Sequence, residues 1–157
     1  MSEFKPGQTY QPPAAGLRPG GRLGGIDPSA LAKAEAALKS LSANFGQWMA
    51  TELDKLDLAW SDIRAHGPTA ETMEALYLRA HDLKGLGTTY GFPIVTQIAA
   101  RLCRLLDDKV TRVSVALTPI EAHVLAIKTA VADNITEGDS PAGRRLLQSL
   151  ESARSSS

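Results

Sequence analysis

Residues 76–93 read LYLRAHDLKGLGTTYGFP. His81 is followed three residues on by Lys84 and four residues on by Gly85. The surrounding pattern is helical. Thr69 can cap the segment with its hydroxyl, and Met73, Leu76, Ala80, Leu83 and Gly87 recur at the spacing of one helix face. This predicts a helix from Thr69 to about Tyr90, broken by Gly91, Phe92 and Pro93. At about 100° per residue, His81 falls roughly 120° from the centre of the inward face and should be exposed. A mid-helix glycine costs about 1 kcal/mol relative to alanine, so Gly85 does nothing for the helix itself. It supplies a missing side chain one turn from the imidazole, where atoms of another molecule can come close. Lys84 supplies a mobile positive charge suited to an anionic group.

The flanking sequence continues in helices. Before the histidine segment, Met49, Leu53, Leu56, Trp60 and Ile63 are spaced 4, 3, 4 and 3, one stripe of a helix running from near Gln47 to Arg64. His66, Gly67 and Pro68 stop it. A separate short helix is predicted from Asp27, an N-cap with Pro28 at the first helical position, to about Ser42. After the histidine segment, Pro93 opens a helix with Ile94, Ile98, Leu102 and Leu105 inward, ending near Asp108. The β-branched run KVTRVSVALT, 109–118, is short and has no partner run, so it reads as a loop. Thr118 and Pro119 then start a helix with Ile120, Val124, Ile127 and Val131 inward. The fold class expected is all-α: an antiparallel up-and-down four-helix bundle, 26–137, with the additional short N-terminal helix. Residues 1–25, with four prolines and six glycines, read as a flexible tail, and 138–157 as a C-terminal tail or frayed helix.

Composition narrows the function. The chain has 157 residues, with 17 basic and 17 acidic side chains. That balance gives no sign of a nucleic-acid partner. No apolar run approaches the ~20 residues of a membrane span. The one cysteine, Cys103, excludes an intramolecular disulfide framework and fits a reducing compartment, so the expected location is cytoplasmic. No pair of the three histidines has the i, i+4 spacing of a helical zinc site. No glycine-rich nucleotide loop is present, which leaves no recognised route to ATP.

An exposed histidine on a helix is usually solvated surface, and His66 and His123 are read that way. His81 differs in its companions. A neutral imidazole is a good nucleophile near neutral pH, and phosphoryl transfer asks mainly for positioning and charge stabilisation. His81, Lys84 and Gly85 provide half of such a site, with the remaining carboxylate and metal ion left to a partner. Leu78 lines up with His81 and Gly85 at i, i+3 and i+7, away from the core stripe, and is expected to form the apolar centre of a docking surface. Tyr77 and Thr88 are placed on that surface with it.

The segment AHDLKGLGTTYGF, 80–92, resembles the signature of histidine-containing phosphotransfer (HPt) domains, which reads His-x-Leu-Lys-Gly followed by small residues and Gly. His81, Leu83, Lys84, Gly85, Gly87 and Gly91 occupy the matching places, and the resemblance covers roughly residues 45 to 135. It implies a relay of phosphoryl groups between aspartates of receiver domains, in a hybrid histidine kinase and in response regulators. His81 would be the phosphoacceptor, Lys84 would steady the phosphoryl group and Gly85 would keep the approach clear. The chain would act as a monomer with no cofactor of its own, the receiver bringing Mg²⁺. Many members carry a polar side chain on the following helix to hold the imidazole. Counting along the pattern puts Cys103 there, with its sulfur expected within about 6 Å of the ring. The alternative functions are a degenerate scaffold that is never phosphorylated and a fragment of a histidine kinase. The intact His81, Lys84 and Gly85 argue against the first, and the missing ATP-binding domain against the second.

Overall fold

The computed structural model describes residues 27–155. Among them the chain is all-helical: α1 spans Pro28–His66, α2 Ala70–Leu86, α3 Pro93–Leu105, α4 Leu117–Ala132 and α5 Pro141–Ser155, with a 3-10 turn at Arg112–Ser114. The Gly/Pro-rich segment 1–25 lies outside the described residues.

Where the sequence predicts two helices before Gly67, the structure has one, 39 residues long. Asp27 caps it as expected, its carboxylate accepting from the Ser29 N–H at 3.3 Å and the Ser29 hydroxyl at 2.8 Å. The expected break around Ser42–Gly46 fails for a simple reason. No proline lies between Pro28 and Pro68, so every backbone donor is kept. The single glycine, Gly46, costs only about 1 kcal/mol. Contacts just beyond it offset that cost: Met49 is fully buried, and the Phe45 and Trp48 rings both pack on Tyr90 at 5.7 and 5.8 Å. The chain divides into compact units at Ser42. In the first, Leu31 and Leu38 are exposed.

In the second unit, Gly67 ends α1 with φ +84°, a left-handed conformation that glycine adopts freely. A reciprocal cap then starts α2. The Thr69 hydroxyl accepts from the Thr72 N–H at 3.0 Å, and the Thr72 hydroxyl accepts from the Thr69 N–H at 2.9 Å. The inward stripe is as expected, with Met73, Leu76, Ala80 and Leu83 fully buried. They meet Leu56 and Ile63 of α1, Ile98 and Leu102 of α3, and Val124 and Ile127 of α4 in one core. Each Met, Leu, Ile or Val among them contributes about 1.5–3 kcal/mol of burial. Leu53, expected in the core, is only partly buried at its edge.

The link from α2 to α3 sets the position of everything that follows. Helix α2 ends at Leu86 rather than Tyr90, although the Tyr90 N–H still reaches Leu86 O at 2.9 Å. Gly91 turns the chain at φ +92°, and the Phe92 N–H closes on Gly87 O at 2.8 Å. A Cβ on Gly87 would stand 2.5 Å from Thr96 Oγ1, 2.6 Å from Thr96 N and 3.1 Å from Phe92 O. The glycine is what lets α3 start against the end of α2. The Thr96 hydroxyl also accepts from the Thr88 N–H at 2.8 Å, pinning the turn.

Three further boundaries differ from expectation. Helix α3 stops at Leu105, short of Asp108, because the Asp108 carboxylate instead accepts from Val110 N at 2.8 Å and Thr111 N at 3.2 Å and starts the next turn. Helix α4 begins at Leu117 with Ala116 as its N-cap, so Thr118 is not the cap. Pro119 sits within the first turn, where its missing N–H has no partner to lose. The C-terminal segment is a packed helix, more than a frayed end. Leu150 is fully buried, Leu146 and Leu147 pack against the core, and Arg101 pairs with Glu151 at 3.2 Å. Of the run 109–118, residues 109–116 form turns and the short 3-10 segment and the last two belong to α4; none is a strand.

Two glycine substitutions separate packing from openness. Gly87→Ala should destabilise the fold by about 1–3 kcal/mol, since the methyl meets backbone as well as the Thr96 side chain. Gly85→Ala should be neutral or stabilise by up to ~1 kcal/mol, because nothing lies within 4 Å of the added Cβ. Urea denaturation of the two variants checks the contrast. Equal stabilities would contradict it.

Candidate functional site

Burying Met73, Leu76, Ala80 and Leu83 leaves the opposite face of α2 to solvent. His81, Lys84 and Gly85 are all exposed there. Leu83, between them, is fully buried and anchors the turn that carries them. The helix's own packing gives no reason for glycine at 85, since a side chain there would enter open space. Lys84 stands in the last turn of α2, where a cation also meets the negative end of the helix dipole. Arg79 and Asp82 pair at 3.5 Å beside the histidine. That exposed pair adds little stability.

On the N-terminal side of His81, one turn back, stands Tyr77. The two ring centroids are 6.1 Å apart and tilted by 41°. Tyr77 is half-buried, and the Arg112 guanidinium lies over its ring at 4.6 Å from the centroid. Leu78 is 45% exposed, as expected for a residue in line with His81 and Gly85. It does not stand alone. Together with Leu58, Ala59 and Ala75 it lines a concavity of about 310 Å³ between α1 and α2, rimmed by Lys55, Asp62 and Arg79. Leu58, 64% exposed, was absent from the sequence reading because it falls off the α1 stripe. Only the neighbouring helix brings it to Leu78. Thr88 is exposed, but both its N–H and its hydroxyl are engaged with Thr96 Oγ1, at 2.8 and 3.1 Å. Its polar groups serve the α2–α3 turn.

Cys103 lies on the inner side of α3 and is 3% exposed, a member of the core. Burial pushes its thiol above the usual cysteine range. The Lys84 charge pulls the other way, Asp107 adds to the rise and Arg104 opposes it.

The other two histidines separate. His66 is exposed in the last turn of α1, as read. His123 is not solvated surface. It is fully buried, with Nδ1 2.6 Å from Pro119 O. The reason is visible in its spacing: Ile120, His123, Val124 and Ile127 form an i, i+3, i+4, i+7 face, and the imidazole is drawn into the core with it. The sequence reading also missed Arg112, which is only 4% exposed. A lone arginine among the β-branched residues of a loop carries no periodic signal of burial.

The Hpt domain family model matches residues 40–155. Comparison with curated proteins and with solved structures gave no match. The match covers most of the chain, which therefore belongs to the Hpt domain family. Its general role is histidine phosphotransfer in a phosphorelay. The matched region takes in α5, beyond the 45–135 segment that resembles the family by its motif.

The Cys103 environment predicts its reactivity. A thiol with a raised pKa holds less thiolate at pH 8 than the same thiol in the unfolded chain, and thiolate is the reacting form. The native protein should therefore react with a thiol reagent at pH 8 at least about tenfold more slowly than the denatured protein. The preference of the fold for the protonated thiol is fully present below the ordinary thiol pKa and is lost as pH rises through the raised one. Equal reaction rates in native and denatured protein would contradict the burial.

Proposed function

We propose that this chain is a phosphorelay intermediate in which His81 takes the phosphoryl group from an aspartyl phosphate of one receiver domain and gives it to the aspartate of another. An imidazole nitrogen attacks phosphorus, the N–P bond forms as the P–O bond to the aspartate breaks, and the carboxylate leaves with the bonding pair. The reverse step delivers the group onward. The observation that carries this reading is the empty space at Gly85. A glycine that the chain's own packing does not require stands one turn from an exposed histidine, with a lysine beside it. It leaves room for another molecule to reach the ring.

The roles follow from position. His81 is the nucleophile and phosphoacceptor. Lys84 offsets the charge on the phosphoryl oxygens. Gly85 keeps the approach open. Leu78 and Tyr77, with Leu58 behind Leu78, form the apolar centre of a small transient docking surface, and Thr88 lies at its edge. Cys103, buried on α3, would be the residue that contacts the imidazole from that helix. The Mg²⁺ and the acceptor carboxylate come from the receivers, which belong to a hybrid histidine kinase and to response regulators of the cytoplasm. The scaffold is an antiparallel up-and-down arrangement of α1 to α4, favoured by the short links at 67–69 and 87–92. It acts as a monomer.

Incubation with a phosphorylated receiver should place acid-labile, base-stable phosphate on the wild-type chain. His81→Gln should keep its fold, since the side chain is exposed, and take up no phosphate. Lys84→Ala should slow transfer by about tenfold, or ~1.4 kcal/mol of barrier, without abolishing it. Gly85→Gln should raise the receiver concentration needed for half-maximal rate. Labelling of His66 or His123 in the His81→Gln protein would show the assignment to be wrong.

A further inference from the structure

We infer that Arg112 is a positioning residue for the phosphoacceptor, acting through the ring of Tyr77. The starting point is an arginine in an unusual setting. A guanidinium is costly to bury unless it is paired. Arg112 is 4% exposed, yet no ion pair to it occurs among the described residues. Its Nε has no hydrogen-bond partner among them, and Nη2 reaches only the Asp107 carbonyl oxygen at 3.5 Å. What the charge does meet is the face of Tyr77, at 4.6 Å from the ring centroid. The negative face of an aromatic ring attracts a cation, more strongly where water is excluded. Arg112 and Tyr77 therefore hold one another.

Both ends of this contact are fixed. Arg112 opens the 3-10 turn Arg112–Ser114, and its N–H bonds to Asp108 O at 2.9 Å. The Asp108 carboxylate accepts from the next two N–H groups before it, Val110 at 2.8 Å and Thr111 at 3.2 Å. The turn is thus held by bonds within its own segment, from the Asp108 carboxylate and carbonyl oxygen. Tyr77 sits on α2 one turn before His81, with ring centroids 6.1 Å apart. The imidazole consequently has a wall on its Tyr77 side and open space on its Gly85 side. A side chain with one wall has fewer ways to turn than a free one, and an incoming phosphoryl group meets it from the side left open. Without Arg112 over it, the Tyr77 ring would lose the contact that holds its plane, and the wall would loosen.

Rate effects of this inference rest on the phosphotransfer reading above, so the test has two arms. The first is rapid-quench phosphotransfer from a phosphorylated receiver, separating the maximal rate from the half-saturating receiver concentration. Arg112→Gln should lower the maximal rate about tenfold while the half-saturating concentration stays within about twofold, because positioning acts on the bound complex. Arg112→Lys keeps a cation over the ring and should recover at least half of the loss on a logarithmic scale. Tyr77→Leu should fall as far as Arg112→Gln, and Tyr77→Phe, which keeps the ring, should fall less. The second arm needs no phosphate. NMR of the unphosphorylated protein should show proximity between Tyr77 and His81 ring protons and one dominant His81 rotamer, replaced by averaging in Arg112→Gln.

A wild type that takes no phosphate on His81 would defeat the phosphotransfer reading, and the NMR arm would still decide the positioning. Arg112→Gln with the wild-type maximal rate and the wild-type His81 rotamer would overturn the inference. So would a loss confined to thermal stability, or Arg112→Lys as slow as Arg112→Gln. If Arg112→Gln does not fold, equal maximal rates and equal His81 averaging in Tyr77→Leu and Tyr77→Phe would overturn it as well.

Discussion

There is no room for a methyl group between Gly87 and Thr96. That close approach ties the end of α2 to the start of α3, with the Thr96 hydroxyl accepting from Thr88 across the turn. Once these two helices are locked, the rotation of α2 is settled by which of its residues can be buried. Met73, Leu76, Ala80 and Leu83 face α3 and the rest of the core. His81, Lys84 and Gly85 are then outside as a geometric consequence. The exposure of the candidate nucleophile thus follows from the burial of its neighbours.

Gly85 and Gly87, two residues apart, have opposite explanations. At Gly87 the protein itself fills the space that a side chain would need. At Gly85 nothing in the protein does. A sequence shows only that both are costly in a helix. The structure assigns one cost to packing and shows open space at the other. The same contrast separates the histidines. His123 is buried on the apolar face of α4 with its Nδ1 against Pro119 O, which marks it as part of the core. His81 has a ring on one side, and its other side is open.

Much of this was legible in the residues. The stripes of α2, α3 and α4 were read from their spacing, and so was the exposure of His81 and Leu78, because burial on a helix is a periodic signal. What escaped was set by tertiary contacts. The single α1 could not be seen because Ser42 to Gly46 looks like a break, and only the packing of Phe45 and Trp48 on Tyr90 shows why it is not. The segment of α5 reads in the sequence as a tail or a frayed helix, since Leu146, Leu147 and Leu150 make a stripe too short to stand without the core that receives it. Arg112 and Leu58 reach the site from other elements. Neither belongs to a pattern on its own segment.

The central claim is that one exposed imidazole on α2 carries the phosphoryl group. Its most direct test is phosphorus–proton correlation NMR on the full chain after exposure to a phosphorylated receiver. The account predicts a single phosphohistidine resonance, correlated with the ring protons of His81. Correlation with the ring of His66 or His123, or a phosphorus signal on any side chain other than a histidine, would contradict it.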